Sequence, residues 1–267
     1  MMTSSIARIT CITGGASGLG WALAQQCLAR GDQIILVDRD ATLLHERLAL
    51  LTSPDRVHGI VCDITEATSP AALMAEITER WGRLDLLIHS AGITHRSPAK
   101  QTAPEVIRRV MEVNYHAPVA ITHALLPLLI ASKGSIVAIG SMAGWMPIPG
   151  RAGYGASKSA LTQYFEVLRL ELAAHDVHVL LCHPTFLNSP MEHNALGADG
   201  QRTVRPRSTI GRIRSVEWQA RELLGALDAR RATTAMERLP AFGALLWRLW
   251  PALYRRLMVR RFPGELG

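Results

Sequence analysis

The stretch Arg8-Ile9-Thr10-Cys11-Ile12-Thr13-Gly14-Gly15-Ala16-Ser17-Gly18-Leu19-Gly20 runs from an apolar segment through a glycine-rich turn into a second apolar segment. Arg8 to Thr13 reads as a short buried strand, and Gly18 to Ala29 as a helix. Glycines between the two permit a tight turn. They also let backbone N–H groups approach a pyrophosphate at the positive end of the helix. A glycine-rich turn alone says little, but one that follows a strand and opens a helix points to a dinucleotide-binding unit.

Working outward, Gln33 to Asp38 reads as a second strand ending in a carboxylate. An acid there accepts hydrogen bonds from the adenosine ribose hydroxyls and repels a 2′-phosphate, which favours NAD. Arg39 follows immediately and leaves NADP open, because a guanidinium pairs with that phosphate. Val57 to Val61 forms a third strand before Cys62-Asp63-Ile64, where Asp63 is placed to accept the adenine amino group. A helix is expected from about Pro70 to Trp81. A fourth strand, Leu84 to His89, delivers the small residues Ser90-Ala91-Gly92. Pro104 to about Leu129 reads as mostly helical, with Pro118 and Pro127 expected to bend or end it. Gly134 to Ile139 is a fifth strand leading to Gly140-Ser141, and Val177 to His183 a sixth. Strands alternating with helices in this way predict an α/β fold, a single doubly wound parallel sheet with helices on both faces. Its ligand edge is the carboxyl end of the strands, where Gly14, Asp38, Asp63, Gly92, Ser141 and Pro184 all fall.

Tyr154 and Lys158 stand four apart near the start of a helical run, Gly153 to Ala174. That spacing puts both on one helix face. A phenol ionises near pH ~10, and a neighbouring ammonium favours the phenolate, so the pair suits general acid/base work near neutrality.

The 267 residues are 48% hydrophobic, ample for one large core. Cys11, Cys27, Cys62 and Cys182 lie in apolar runs without a Cys-x-x-Cys spacing and read as reduced core residues, not metal ligands or disulfides. No signal peptide and no uninterrupted membrane-spanning apolar run is evident, so a cytoplasmic setting is expected. The net charge of +7 is uneven, since residues 201–267 hold fourteen arginines and only five acids. No nucleic-acid recognition motif accompanies that basicity, and an acidic partner or an anionic membrane is the better match.

Taken together, Thr13-Gly14-x-x-x-Gly18-x-Gly20, Asp63, Ala91-Gly92, Asn114, Ser141 and Tyr154-x-x-x-Lys158 resemble the short-chain dehydrogenase/reductase family. The resemblance covers roughly residues 6–190. It implies an NAD(P)-dependent enzyme that interconverts an alcohol and a carbonyl. Tyr154 would be the acid/base, Lys158 would lower its pKa and bind the nicotinamide ribose, Ser141 would hold the substrate oxygen, and Asn114 would keep a relay water near Lys158. Thr13, Gly14, Ser17, Gly18, Leu19, Gly20, Asp38, Arg39, Cys62, Asp63, Ile64, Ser90, Ala91, Gly92, Tyr154, Lys158, Pro184, Thr185, Leu187 and Ser189 would line the cofactor. The chain departs from the family pattern at His89-Ser90, where Asn-Asn is usual, and at Thr185, where glycine is usual.

The substrate wall is expected from Ile93, Met142, Trp145, Met146, Phe186, Leu187 and Met191, an apolar set, with His95 and His193 as polar contacts. Residues 190–210 read as a mobile loop over the site, Ser215 to Ala229 as a helix and Ala232 to Ala235 as a short last strand. Residues 1–238 are expected to form the dehydrogenase domain, and 239–267 a basic amphipathic extension. On a helical wheel Leu246, Trp247, Trp250, Leu253, Tyr254, Leu257 and Met258 share one side, opposite Arg248, Arg255, Arg256 and Arg260. Such a tail meets a membrane through residues 240–262, covers the substrate, or contacts another subunit of a homo-dimer or homo-tetramer. It is similar to tails of family members acting on lipophilic alcohols such as steroids, retinoids and long-chain alcohols. Two other readings stand beside this one: an NADPH-dependent 3-oxoacyl-thioester reductase gripping its carrier with Arg202, Arg205 and Arg207, and a catalytically idle cofactor-binding scaffold.

Overall fold

The computed structural model describes residues 7–51, 53–205, 209, 211–235 and 237–266. Its main sheet is built from β1 (Ile9–Thr13), β2 (Gln33–Asp38), β3 (Val57–Val61), β4 (Leu86–His89), β5 (Ser135–Ile139) and β6 (His178–Cys182). All neighbouring pairs are parallel, in the order β3-β2-β1-β4-β5-β6. The chain winds outward from β1 in both directions, which opens a crevice at the carboxyl ends of β1 and β4.

The strands inside the edge strand β3 are largely buried because helices cover both faces of the sheet. Along β2, Ile35 and Val37 enter one core with Ile121, Leu125, Leu161 and Phe165. Ile34 and Leu36 enter the other with Leu23, Cys27, Leu223 and Leu224. Each fully buried Leu, Ile or Phe contributes roughly 1.5–3 kcal/mol relative to exposure. The first layer uses α3 (Ser69–Trp81), α5 (Ala117–Ser132) and α6 (Ala152–Glu171), with α4 (Pro104–Met111) beside them. The second uses α1 (Gly18–Ala29), α2 (Ala41–Ala49) and α8 (Val216–Asp228). The doubly wound parallel sheet is as expected, and its ligand edge carries every strand-end residue named above.

Departures are local. The run from Pro104 does not end at Pro127; α4 passes through a π-helical turn, Glu112–His116, into α5, which runs to Ser132. Pro118 follows closely on the π-helical turn within this continuous stretch. Lys133 in the left-handed conformation (φ 50°) ends the helix. By length and composition this continuous stretch is apolar enough to cross a membrane, but Ala117, Ile121, Leu125 and Leu129 pack into the core. The strand expected at Ala232–Ala235 reduces to one bridge, Thr233 beside Leu181.

Residues 190–210 are not a bare loop. A short helix α7 (Pro190–His193) is followed by bridges from Leu196 to His95 and Arg202, while Arg207 lies outside the described residues. A two-stranded ribbon joins β7 (Phe186–Leu187) to β8 (Ile213–Arg214). The extension forms α9 (Arg238–Leu249) and α10 (Pro251–Arg261), broken at Pro251. They dock on the domain through buried Tyr254, whose hydroxyl donates to the Pro147 carbonyl at 2.9 Å, and through buried Phe262.

Candidate active site

A groove of about 360 Å³ follows the carboxyl edge of the sheet. Gly14, Ser17, Gly18, Leu19, Asp38, Arg39, Cys62, Asp63, Ile64, Ser90, Ala91 and Gly92 line its outer part. Ser141, Tyr154, Lys158, Pro184, Thr185, Leu187 and Ser189 line the inner part. Thr13 and Gly20 stand behind the wall: the Thr13 hydroxyl accepts the Ala91 N–H at 3.4 Å, and Gly20 packs against the Gly14 backbone.

Two features make the groove a cradle for a phosphate-bearing ligand. Gly14 has φ +64°, and a side chain there would meet the Ala91 Cα at 2.7 Å, so backbone alone fits the turn. The N-terminus of α1 has no acid in its first turn, the Ser17 side chain makes no capping bond, and Ser17, Gly18 and Leu19 line the groove. Asp38 is held by the N–H groups of Ala16 (3.1 Å) and Asp40 (3.2 Å), while Arg39 is exposed. Burial pushes the Asp63 carboxyl up, but two bonds from Thr65, at 2.9 and 2.7 Å, and the charges of Arg39 and Arg109 hold it below its ordinary value.

Asn114 lies in the π-helical turn and is buried. Its amide is fully used: Oδ1 accepts from Ile93 N at 2.9 Å, and Nδ2 donates to Ile93 O at 2.9 Å and to Ser157 Oγ at 3.0 Å. A π turn bends a helix locally, and here it ties the segment after β4 to α6. His89, in place of the expected amide, is fully buried, bonds Thr122 Oγ1 at 2.7 Å, and is pushed down to about 3 by burial and by the charge of Lys158.

Burial lowers Lys158 to about 8, and its Nζ donates to the Ile139 carbonyl at 2.7 Å. It lies 5.9 Å from the centre of the Tyr154 ring. The spacing argument has Lys158 lowering the Tyr154 pKa, but the structure gives the opposite net direction. Burial raises the phenol, Ser141 and Arg151 pull it down, and Glu192 adds to the rise. The lysine is committed to a backbone carbonyl, and desolvation of the phenol is the largest cause of its raised pKa.

A second cavity, about 290 Å³, opens on the other side of Tyr154 and Ser141. Its floor includes Met142, Met146, Pro184 and Phe186, and its roof comes from Leu239, Pro240, Phe242, Leu246, Tyr254, Met258 and Phe262. Of the expected substrate residues, Met142, Met146 and Phe186 are here. Ile93 and Met191 border the cofactor groove instead, and Leu187 borders that groove as well. Trp145 is in neither lining and packs on His183 at 4.5 Å between ring centres. His95 accepts the Gly153 N–H at 2.9 Å and serves the start of α6, and His193 lies on an outer surface pocket with Arg202 and Arg205.

Sequence reasoning missed Arg151, Glu192 and Arg96. Glu192 borders both cavities, and its Oε2 accepts from Arg96 Nη2 at 2.8 Å and Arg151 Nη2 at 3.2 Å. Arg151 stands 6.0 Å over the Tyr154 ring. The available signal was the spacing of Arg151 three residues before Tyr154 at a helix start. Nothing local marked Glu192 or Arg96. Among the described residues no group of three His, Cys, Asp or Glu side chains is placed to hold a metal.

A family model of short chain dehydrogenases matches residues 8–199, across the whole groove and its Tyr-x-x-x-Lys helix. The chain belongs to the short-chain dehydrogenase family. It is 35% identical over 266 residues to dehydrogenase/reductase SDR family member 7B of Bos taurus, covering 96% of this chain and 82% of that protein. It is 33% identical over 201 residues to 11-beta-hydroxysteroid dehydrogenase A of Sesamum indicum, covering 74% of this chain and 57% of that protein. Among solved structures, a short-chain dehydrogenase from Burkholderia cenocepacia in complex with NADP superposes with a TM-score of 0.77 at 26% identity, over 94% of this chain and 98% of that one. One from Burkholderia phymatum in complex with NAD superposes with a TM-score of 0.81 at 21% identity, over 94% and 96%. As a short-chain dehydrogenase the chain is an oxidoreductase.

Proposed function

We propose that this short-chain dehydrogenase uses NAD, with NADP as the alternative, to interconvert an alcohol and a carbonyl on a bulky apolar substrate. The observation that carries the reading is the meeting of two cavities at one edge. The polar groove that fits a dinucleotide and the apolar cavity share Ser141 and Tyr154. A reacting carbon held against these side chains faces the groove on one side and the apolar chamber on the other.

The groove residues fit an adenine dinucleotide: Gly14, Ser17, Gly18 and Leu19 for the pyrophosphate, Asp38 for the adenosine ribose, Asp63 for the adenine, and Lys158 for the nicotinamide ribose. Asp38 keeps lone pairs for two ribose hydroxyls, and exposed Arg39 is the group that would accept a 2′-phosphate. A bound nicotinamide supplies or takes the hydride. Ser141 holds the substrate oxygen, and Tyr154 takes its proton in oxidation or returns it in reduction. Ser141 and Arg151 favour the phenolate as it forms, Lys158 is held for the ribose by the Ile139 carbonyl, and Asn114 fixes the Ile93 backbone beside the groove. The roof excludes water from the apolar half. Relatedness to a plant protein named as a hydroxysteroid dehydrogenase supports a steroid-sized substrate. Residues 1–238 as the dehydrogenase domain, 239–267 as its cover, a homo-dimer or homo-tetramer, a cytoplasmic setting and peripheral membrane contact complete the reading.

The test titrates NADH and NADPH in parallel by fluorescence and then measures turnover on steroid and long-chain secondary alcohols against polyols and a 3-oxoacyl thioester. NADH tighter by about tenfold, ~1.4 kcal/mol, and turnover confined to the apolar alcohols are the expected results. Thioester reduction with NADPH alone, or binding of neither nucleotide, would overturn the reading.

A further inference from the structure

The last two helices carry more apolar surface than the cavity beneath them uses. On α9, Leu239, Phe242, Leu245 and Leu249 are 50–61% exposed and recur at helical spacing. Trp250 at the N-cap of α10, and Leu253 and Leu257 on the helix, are 45–59% exposed and repeat the pattern. Single exposed leucines are ordinary on a protein surface, but two stripes that meet at Leu249-Trp250 form a patch. The helical wheel put Trp250, Leu253 and Leu257 on one apolar side with Tyr254. The structure divides them, with Tyr254 inward and those three facing out.

Charge on these helices is of one sign. From Arg238 to Phe262 there is no Asp or Glu, and all six arginines are exposed. Apolar stripes bordered by arginine alone fit the boundary of an anionic bilayer: acyl chains take the Leu and Phe side chains, Trp250 sits at headgroup depth, and the guanidinium groups pair with phosphates. A second copy of this chain docked symmetrically would bring arginine against arginine. Leu239, Phe242 and Leu257 also border the cavity that reaches Ser141 and Tyr154, so the cavity rim belongs to the exposed stripe.

We propose that α9 and α10 seat this protein on an anionic phospholipid bilayer, and that the apolar substrate enters from that bilayer past Leu239, Phe242 and Leu257. The docking surface stands independently of the catalytic reading. The entry route rests on it, because it takes the roofed cavity as the substrate site.

The full chain is mixed with phosphatidylcholine vesicles, with or without about 30% phosphatidylglycerol, and sedimented at low and high salt. The expected result is binding to the anionic vesicles, weakened by salt, and at least about tenfold weaker for the double variant Trp250→Ser/Leu253→Ser. Both side chains are on the surface, and NADH titration of the variant checks that its groove is intact without reading turnover. Sedimentation with neither vesicle would overturn the docking surface, as would equal binding by the variant. So would a fall in oligomeric mass of the variant by light scattering, which would give the face to a second copy. For the entry route, wild-type initial rates on a vesicle-dissolved alcohol should exceed the variant's several-fold, while rates on a detergent-dispersed alcohol match. Equal rates on vesicles would overturn that half alone.

Discussion

The cofactor groove and the apolar cavity share Ser141, Tyr154, Pro184, Thr185 and Glu192 but are otherwise assembled from different parts of the chain. One groove position lies at or just beyond the carboxyl end of each strand, namely Gly14 after β1, Asp38 closing β2, Asp63 after β3, Gly92 after β4, Ser141 after β5 and Pro184 after β6, and α6 adds Tyr154 and Lys158. Strand register holds these residues, so their places follow from the sheet itself. The cavity takes its floor from that edge and its roof from two helices at the end of the chain, held by a few contacts such as Tyr254 to Pro147. On the proposed reading, the sheet edge and α6 hold the reacting groups, while the substrate cavity is closed by a cover docked from outside the sheet. Changes should therefore separate cleanly between the two.

The sharpest break is at their shared point. Tyr154→Phe should lower kcat by about 10²–10⁴ while leaving nucleotide affinity nearly unchanged, read by steady-state kinetics beside a fluorescence titration. A variant with undiminished turnover would remove Tyr154 from the chemistry. Within the groove alone, Asp38→Ser should shift the NADH-to-NADPH preference by about tenfold toward NADPH, since the carboxylate is lost and Arg39 stays. KM for the alcohol should not follow. Within the cover alone, Tyr254→Phe deletes a buried donor whose phenol burial pushes up to about 12 and so keeps protonated. It should cost about 1 kcal/mol in thermal unfolding and raise KM for the apolar substrate several-fold, with nucleotide binding unaltered.

The same division decides what the sequence alone could disclose. Glycines with forced conformation, acids at strand ends and a Tyr-x-x-x-Lys helix are local signals, and the elements they mark lie within a few residues of their expected limits. The long helix runs to Ser132, close to the expected Leu129, but Pro127 does not end it, and the π turn at Glu112–His116 had no local signal. Trp145 was placed in the substrate wall by nearness in sequence to Ser141, and its ring turns to His183 instead. The outward and inward sides of α10 were merged on the wheel because amphipathicity gives an apolar arc, while docking decides which half of the arc is covered. Glu192 and Arg96 were invisible for a different reason: their partnership forms only when α7 folds back across the segment after β4.

That partnership yields the smallest expected effect, and the most informative about how groove and cavity communicate. Arg151 and Glu192 act on the Tyr154 phenol in opposite directions, with burial the larger cause of its raised pKa and Ser141 opposing it. Lys158 lies 5.9 Å from the ring centre and is common to all variants. Glu192→Gln removes the charge that disfavours the phenolate, so the Tyr154 pKa should fall and the acid limb of kcat/KM for alcohol oxidation should move to lower pH. Arg151→Met removes a charge that favours the phenolate, so its acid limb should move to higher pH. Opposite displacements of the two profiles, with the Asp38-dependent nucleotide preference unmoved, would show that α7 tunes the acid/base group electrostatically. Displacements of the same sign would instead mean that both variants only loosen α7 and admit water.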